Sequence, residues 1–389
     1  MHDLTTVGGI LTYLKGTRFA ATKVYPLSGG NSAFIYRILL ENPLPSGESI
    51  IIKHFEDYIS GYISTKLNVK RAMFEYEALS ALASSGLFDA NSTVQTPIPI
   101  HYDPETYTVF MTDLGSPIAL NQALEYALME DYETGCALAS EIGSALGDFV
   151  GRFHEWSGHH GQSALRRLFV DNLAATQGGL GLHHYTMLCA AERFGLKQSW
   201  IEEIVEREQT IAAVGDEPGF VLTMGDLWFS NILVCRVPKS GELRIYIIDW
   251  EVARVTTPEF DIGELTACAL SFGQTYYPQG DFPFIPALHK SYRKYRALDP
   301  IRVATATGID TLGFGTSRKW ELDRGEEFLN TIALGGFELL QLAHDGDEQA
   351  IKRKTVVKEL FAPQTLKTNL IHEKVPEKEN GVYMQAISV

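Results

Sequence analysis

Two periods of hydrophobic and polar alternation run along the chain, and the change from one to the other divides it. In the first third, apolar residues come in short β-branched and aromatic runs. Residues 23–27 and 34–41 read as strands, Ser49-Ile50-Ile51-Ile52-Lys53 as a short buried strand ending on a lysine, and residues 107–112 as another. Turn residues separate them at Ser28-Gly29-Gly30-Asn31-Ser32, at Asn42-Pro43-Leu44-Pro45-Ser46-Gly47 and at Asp113-Leu114-Gly115-Ser116-Pro117. Two helical patterns accompany these strands, over 5–15 and over 69–84, where Met73, Tyr76, Leu79 and Leu82 share one face. Later the helical period dominates, over 131–156, 196–213, 282–295 and 324–343, interrupted by strand-like stretches at 221–222, 232–236 and 243–248. The pattern predicts an α+β chain. A small β-rich lobe spans residues 1–112, a larger helical lobe residues 113–371, and the polar stretch 372–389 reads as a frayed tail.

The bulk properties narrow the partners. With 389 residues, 45% of them apolar, the chain can bury one large core or two moderate ones. A net charge of -15 argues against nucleic acid and against an anionic membrane, both of which reward a basic surface, and suits a neutral or cationic partner. Cys136, Cys189, Cys235 and Cys268 are widely spaced with no C-x-x-C pair, which predicts reduced thiols and neither disulfide nor zinc. No basic-then-apolar signal opens the chain, and no apolar run approaches the ~20 residues of a membrane span, so a cytoplasmic protein is expected.

The chemistry concentrates in Met224-Gly225-Asp226-Leu227-Trp228-Phe229-Ser230-Asn231 and in Tyr246-Ile247-Ile248-Asp249-Trp250-Glu251. A loop aspartate is followed five positions later by an asparagine, and an apolar strand then runs into Asp249, with Glu251 two positions on. Alone, Asp226 is a cap or turn residue, and Asp249 and Glu251 mark a solvated strand end. Together they form a set of hard oxygen donors of the kind magnesium takes alongside phosphate and water.

These two segments resemble the catalytic loop and metal motif of the aminoglycoside phosphotransferase-like kinases, which have the protein-kinase fold. The likeness extends over residues 11–265. With Gly9-Ile10-Leu11-Thr12-Tyr13-Leu14 and Leu27-Ser28-Gly29-Gly30, it is strongest to the group holding methylthioribose kinase and the fungal hydroxytryptamine kinase. The resemblance implies a two-lobed kinase that moves the γ-phosphate of ATP, with magnesium, to a hydroxyl of a small molecule. That acceptor is hydroxytryptamine-like, methylthioribose-like or another amino or sugar alcohol. It also implies roles. Asp226 orients or accepts the proton of the attacking hydroxyl, Asn231 and Asp249 hold magnesium, and Glu251 resembles the second carboxylate of an Asp-x-Glu metal motif. Lys53 resembles the lysine on the α- and β-phosphates and Glu75 its ion-pair glutamate, with Glu77 as the competitor on a different helix face. Ser28, Gly29, Gly30, Asn31 and Ser32 resemble the turn that covers the phosphates, and Met111 lies in the segment whose backbone reads adenine. His154 and Asp261 resemble structural residues of the family.

Met224 stands where most of the superfamily has histidine. His159-His160 and His183-His184 read as loop histidines, because adjacent residues face apart. The competing reading is a catalytically inactive kinase-fold protein that binds nucleotide or a partner. A protein kinase is a weaker reading, because the His-Arg-Asp, Asp-Phe-Gly and Ala-Pro-Glu signatures are missing.

Overall fold

Helix α1 (Val7–Leu14) begins where the side chain of Thr6 accepts the Gly9 amide, an amide with no partner inside the helix. It buries Ile10 and Leu14 against a sheet built from β1 (Ala21–Pro26), β2 (Phe34–Leu44) and β3 (Gly47–His54). Helix α2 (Arg71–Ser84) follows, then β4 (Pro99–Asp103) and β5 (Thr108–Thr112). The five strands are antiparallel in the order β1-β2-β3-β5-β4. The structure is a computed structural model that describes residues 2–28, 32–60, 62–172, 174–237, 240–277 and 282–363. Gly29, Gly30 and Asn31 of the turn expected to cover the phosphates, and the tail 372–389, lie outside these residues.

Successive strand residues face opposite sides. Ile50 and Ile52 therefore join Ile38, Phe110, Ile10 and Leu14 in one core, while Ile51 and Lys53 turn to the other face, toward α2. Period two thus brings a lysine to the side of the sheet that faces the rest of the molecule.

Beyond Asp113 the chain is mainly helical. Helices α3 (Leu120–Glu130) and α4 (Tyr132–Gly158) meet at Asp131, which caps α4 by accepting the Thr134 amide at 2.9 Å. Helices α5 (Leu180–Arg193) and α6 (Ser199–Ala213) lead to strands β6 (Val221–Thr223), β7 (Ile232–Arg236), β8 (Leu243–Ile247) and β9 (Arg254–Thr256). Helices α7 (Glu259–Tyr276), α8 (Phe284–Tyr292), α9 (Pro300–Leu312) and α10 (Glu326–Asp345) complete the main frame. Gly143 and Gly147, one turn apart on α4, let α8 come close. A Cβ at Gly147 would sit 2.1 Å from the Leu288 carbonyl oxygen.

The molecule is therefore a mixed α+β protein, an antiparallel sheet region followed by a helical region. Helix α7 gave no amphipathic signal because it is buried on nearly every side, leaving no polar stripe to mark it. One expectation needs correcting. His183 and His184 are not loop residues; both sit on α5, buried, and His183 lies 3.0 Å from Asp310. Helix geometry let both pack because α5 is flanked by helices on more than one side. His159 and His160 are exposed just past the end of α4. Among the described residues, no helix is long and apolar enough to cross a membrane.

Candidate active site

Strand β6 delivers the chain into Met224-Gly225-Asp226. Gly225 has φ +83°, a left-handed conformation, and a Cβ there would meet the Val252 carbonyl oxygen at 2.5 Å, so the position demands glycine. Helix α7 holds this loop by its backbone. Asp261 accepts the amides of Met224 at 2.8 Å and Gly225 at 3.0 Å, and its Oδ2 is 3.1 Å from His154 Nε2. His154 is braced in turn by the Tyr292 hydroxyl, 2.9 Å from Nδ1. One turn along α7, Glu264 accepts the Leu227 amide at 2.8 Å. Asp226 is thus fixed from both sides through main-chain groups of its neighbours.

The spacing between Asp226 and Asn231 has a geometric reason. The 3-10 turn Phe229–Asn231 doubles the chain back, so that Asn231 Nδ2 donates to the Asp226 carbonyl at 3.0 Å and to its carboxylate at 2.7 Å. Burial pushes the Asp226 carboxyl up to about 7, with the charge of Asp249 adding to the shift and hydrogen bonds from Asn231 and Trp228 opposing it. A carboxyl poised near neutrality suits proton transfer at physiological pH.

Asp249 arrives by strand register. β7 and β8 pair antiparallel with Ile232 opposite Ile247, and the Ile248 amide donates to the Asn231 carbonyl at 3.0 Å. The end of β8 therefore lies beside the loop. Asp249 has φ +69°, a conformation that costs a non-glycine residue on the order of 1 kcal/mol or more. Trp250 anchors the turn, 1% exposed, donating its indole N–H to the Ile247 carbonyl at 3.0 Å and standing edge-on to Phe153.

Three carboxylates surround Lys53. Its Nζ lies 2.5 Å from Asp249, 2.9 Å from Glu75 and 3.0 Å from Glu251. Burial alone would lower the lysine's pKa; the three charges outweigh it, Asp249 foremost, and hold the ammonium protonated. Burial drives Glu75 the other way, up to about 7, against the pull of Lys53. Glu75 is the α2 carboxylate that meets the lysine, while Glu77 is half-buried and outside the cluster. Glu75, Asp249 and Glu251 each bring an oxygen within a 4.8 Å span, with the Lys53 ammonium among them; Asp249, the most exposed of the three, and Glu251 are hard oxygen donors of the kind a divalent cation takes.

Sequence reasoning missed Arg71. It is buried on α2 one turn before Glu75, 3.6 Å from Glu251, and donates to the Ser32 carbonyl at 2.7 Å. Its i, i+4 spacing from Glu75 was the available signal. Ser28 is exposed, and Ser32 touches the cluster through Arg71. Met111 lies inside the sheet between Ile51 and Pro99. The chain leaves the sheet after Thr112, where Asp113 is pinned by Arg37 at 2.7 Å and Ser49 at 2.7 Å. A second cluster, His183, Glu264 and Asp310, also brings ligand atoms within 4.8 Å, but Asp310 is already paired with Arg318 at 2.7 Å.

A loop carboxyl poised near neutrality, beside buried oxygen donors and a lysine, is the equipment of a phosphoryl-transfer enzyme. The phosphotransferase enzyme family matches residues 53–301, from Lys53 past Asp261, and the chain belongs to that family. It is an enzyme, a small-molecule kinase. Among its relatives, the 4-hydroxytryptamine kinase of Psilocybe cyanescens is 26% identical over 377 residues, spanning 92% of this chain and 98% of the relative. The protein of the same name from Psilocybe cubensis is 26% identical over 268 residues, 67% of this chain and 72% of the relative. A solved choline/ethanolamine kinase family protein from Mesorhizobium loti aligns over 91% of this chain and 97% of its own, at 15% identity and a TM-score of 0.45.

Proposed function

We propose that this enzyme transfers the γ-phosphate of ATP, with magnesium, to a hydroxyl of a small molecule, using Asp226 as the group that receives the hydroxyl proton. One observation carries the reading: Asp226, Asn231, Asp249, Glu251, Glu75 and Lys53 come from distant segments and meet in two adjoining clusters. An inactive kinase-fold protein has no need to keep a half-buried Asp226 carboxyl within electrostatic reach of Asp249. When bound, magnesium supplies the positive charge that neutralises the phosphate oxygens. Asn231, Asp249 and Glu251 would hold it by oxygen donors. Lys53 adds a fixed positive charge at the phosphates, kept in place by Glu75. Asp226 orients the acceptor hydroxyl and takes its proton, and positioning of this kind is most of what phosphoryl transfer requires of a protein.

The names of the Psilocybe relatives favour a hydroxytryptamine-like acceptor over methylthioribose-like or other amino and sugar alcohols. The division at residue 112, with nucleotide held by the first part and acceptor by the second, belongs to the same reading. So does a cytoplasmic location, where ATP is abundant and the four free cysteines stay reduced. The test is transfer of labelled γ-phosphate from Mg-ATP to a panel of hydroxyindole amines, methylthioribose, choline and an aminoglycoside, with Asp226→Asn alongside. Transfer to one small alcohol, lost in the variant, supports the reading. Binding of Mg-ATP without transfer to any acceptor returns the inactive alternative.

A further inference from the structure

Arg254, the first residue of β9, is a buried cation without a close counter-ion. It is 2% exposed, its guanidinium lies 4.0 Å from the centre of the Phe260 ring, and Nη1 donates to the Ala175 carbonyl at 2.9 Å. Among the described residues, Nη2 has no hydrogen-bond partner and no carboxylate oxygen stands within 4.0 Å of the guanidinium. Burial disfavours its charge, and Glu264, Asp261 and Asp226 offset this only from farther away. A buried charge left in this way is costly, and proteins normally supply it with a partner. The same side chain lines a small cleft between α5, α6, β9 and α9. Arg302 of α9 and Glu208 of α6 also line it, Thr256 adds a hydroxyl, and Ile211 and Phe260 give it an apolar side. Its free volume, about 20 Å³, is room for a water or a small ion.

We propose that this cleft binds one small monovalent anion, of the halide class, as the counter-ion of Arg254. Two arginines and one glutamate leave the lining with a net charge of one positive unit. A halide cancels it, whereas a sulfate or phosphate dianion overshoots it and needs more space. The lining contains none of Lys53, Glu75, Asp249 and Glu251, so the site is separate from the carboxylate cluster and does not depend on the reaction assigned to it. Its position still bears on the loop. Arg254 stands opposite Thr223 in the β6–β9 pair, and the Thr223 hydroxyl donates to the Arg254 carbonyl at 2.9 Å. Thr223 leads directly into Met224-Gly225-Asp226. An anion that neutralises Arg254 therefore stabilises the strand pair that delivers this loop.

The test is a chloride titration of the full chain, with chloride replacing gluconate at constant ionic strength. Chlorine NMR line broadening reports binding, and urea denaturation reports its effect on folding. Wild type is compared with Arg254→Met and with Arg302→Gln, each checked for folding by circular dichroism. The expected result is saturable broadening in wild type that bromide displaces and sulfate does not. Arg302→Gln weakens chloride about tenfold, and Arg254→Met abolishes the saturable part. Chloride also raises the urea midpoint of wild type, as a ligand of the folded state must, and leaves that of Arg254→Met unchanged. If Arg254→Met fails to fold, Arg302→Gln at the half-buried side of the cleft decides the matter. Absence of saturable broadening in wild type overturns the proposal, and so does unchanged chloride affinity in Arg302→Gln. Displacement by sulfate or phosphate in preference to bromide refutes the assignment to a monovalent ion.

Discussion

Replacing Asp261 by asparagine keeps the side chain's volume while removing a charge and one acceptor oxygen. In the native protein Oδ1 accepts the Gly225 amide at 3.0 Å, and Oδ2 serves both the Met224 amide at 2.8 Å and His154 at 3.1 Å. The amide oxygen of asparagine can keep only one of these two sites. Placed toward Met224 and His154, it leaves the –NH2 group facing the Gly225 N–H, donor against donor. Turned the other way, it loses two contacts. The smaller loss is one charge-assisted hydrogen bond and a buried amide left unpaired, about 2–4 kcal/mol in all. Because Gly225 precedes Asp226 directly, the loop slackens where the Asp226 carboxylate is set, and in the proposed reaction a displacement near 1 Å costs roughly a hundredfold in rate. The expectation for Asp261→Asn is a kcat about a hundredfold lower, with KM for ATP within about twofold because Lys53 and its partners are untouched. Steady-state kinetics and urea denaturation measure both halves. Wild-type kcat in a variant that has lost stability would refute the view that pinning the loop backbone matters for turnover.

Asp226→Asn should lower kcat by about a thousandfold while retaining nucleotide binding. It should also alter stability with pH. The folded carboxyl is raised from 3.8 to about 7, so its contribution to folding is full below the unfolded value and lost as pH rises through about 7. The asparagine variant is then more stable than wild type at pH 8, on the order of a few kcal/mol, and the advantage fades toward pH 4, as urea midpoints at the two pH values will reveal. Gly225→Ala places a Cβ 2.5 Å from the Val252 carbonyl oxygen at φ +83° and should destabilise by about 2 kcal/mol or more with a matching loss of kcat. Met224→His should stay active, since Asp261 holds residue 224 by its backbone amide; the buried side chain, 1% exposed, makes reduced thermal stability the visible effect. Complete loss of transfer by a folded Met224→His would mean that the methionine side chain shapes the loop.

Local features were readable because local physics makes them. The apolar run over residues 49–53 implied a short buried strand ending on Lys53. The gap between Asp226 and Asn231 and the apolar approach to Asp249 marked the site, since one short turn and one strand end are properties of neighbouring residues. The choice of Glu75 over Glu77 was also legible, because a helix shows a given partner only one face. Helix α7 and the buried histidines of α5 were not, since a helix enclosed by others has no polar stripe and a histidine's burial depends on what packs over it.

What the sequence by itself determined is thus the class of fold and the short segments that carry the candidate site. Only the tertiary structure decided which of them meet. Lys53 and Asp249 are 196 residues apart, and the Trp228–Trp320 ring contact joins two segments whose intervening chain carries no sign of it. Arg71 gained its place between Ser32 and Glu251 in the same way. Backbone periodicity extends over a few residues, whereas these encounters depend on how whole elements pack, and the chain's local pattern does not encode that separately.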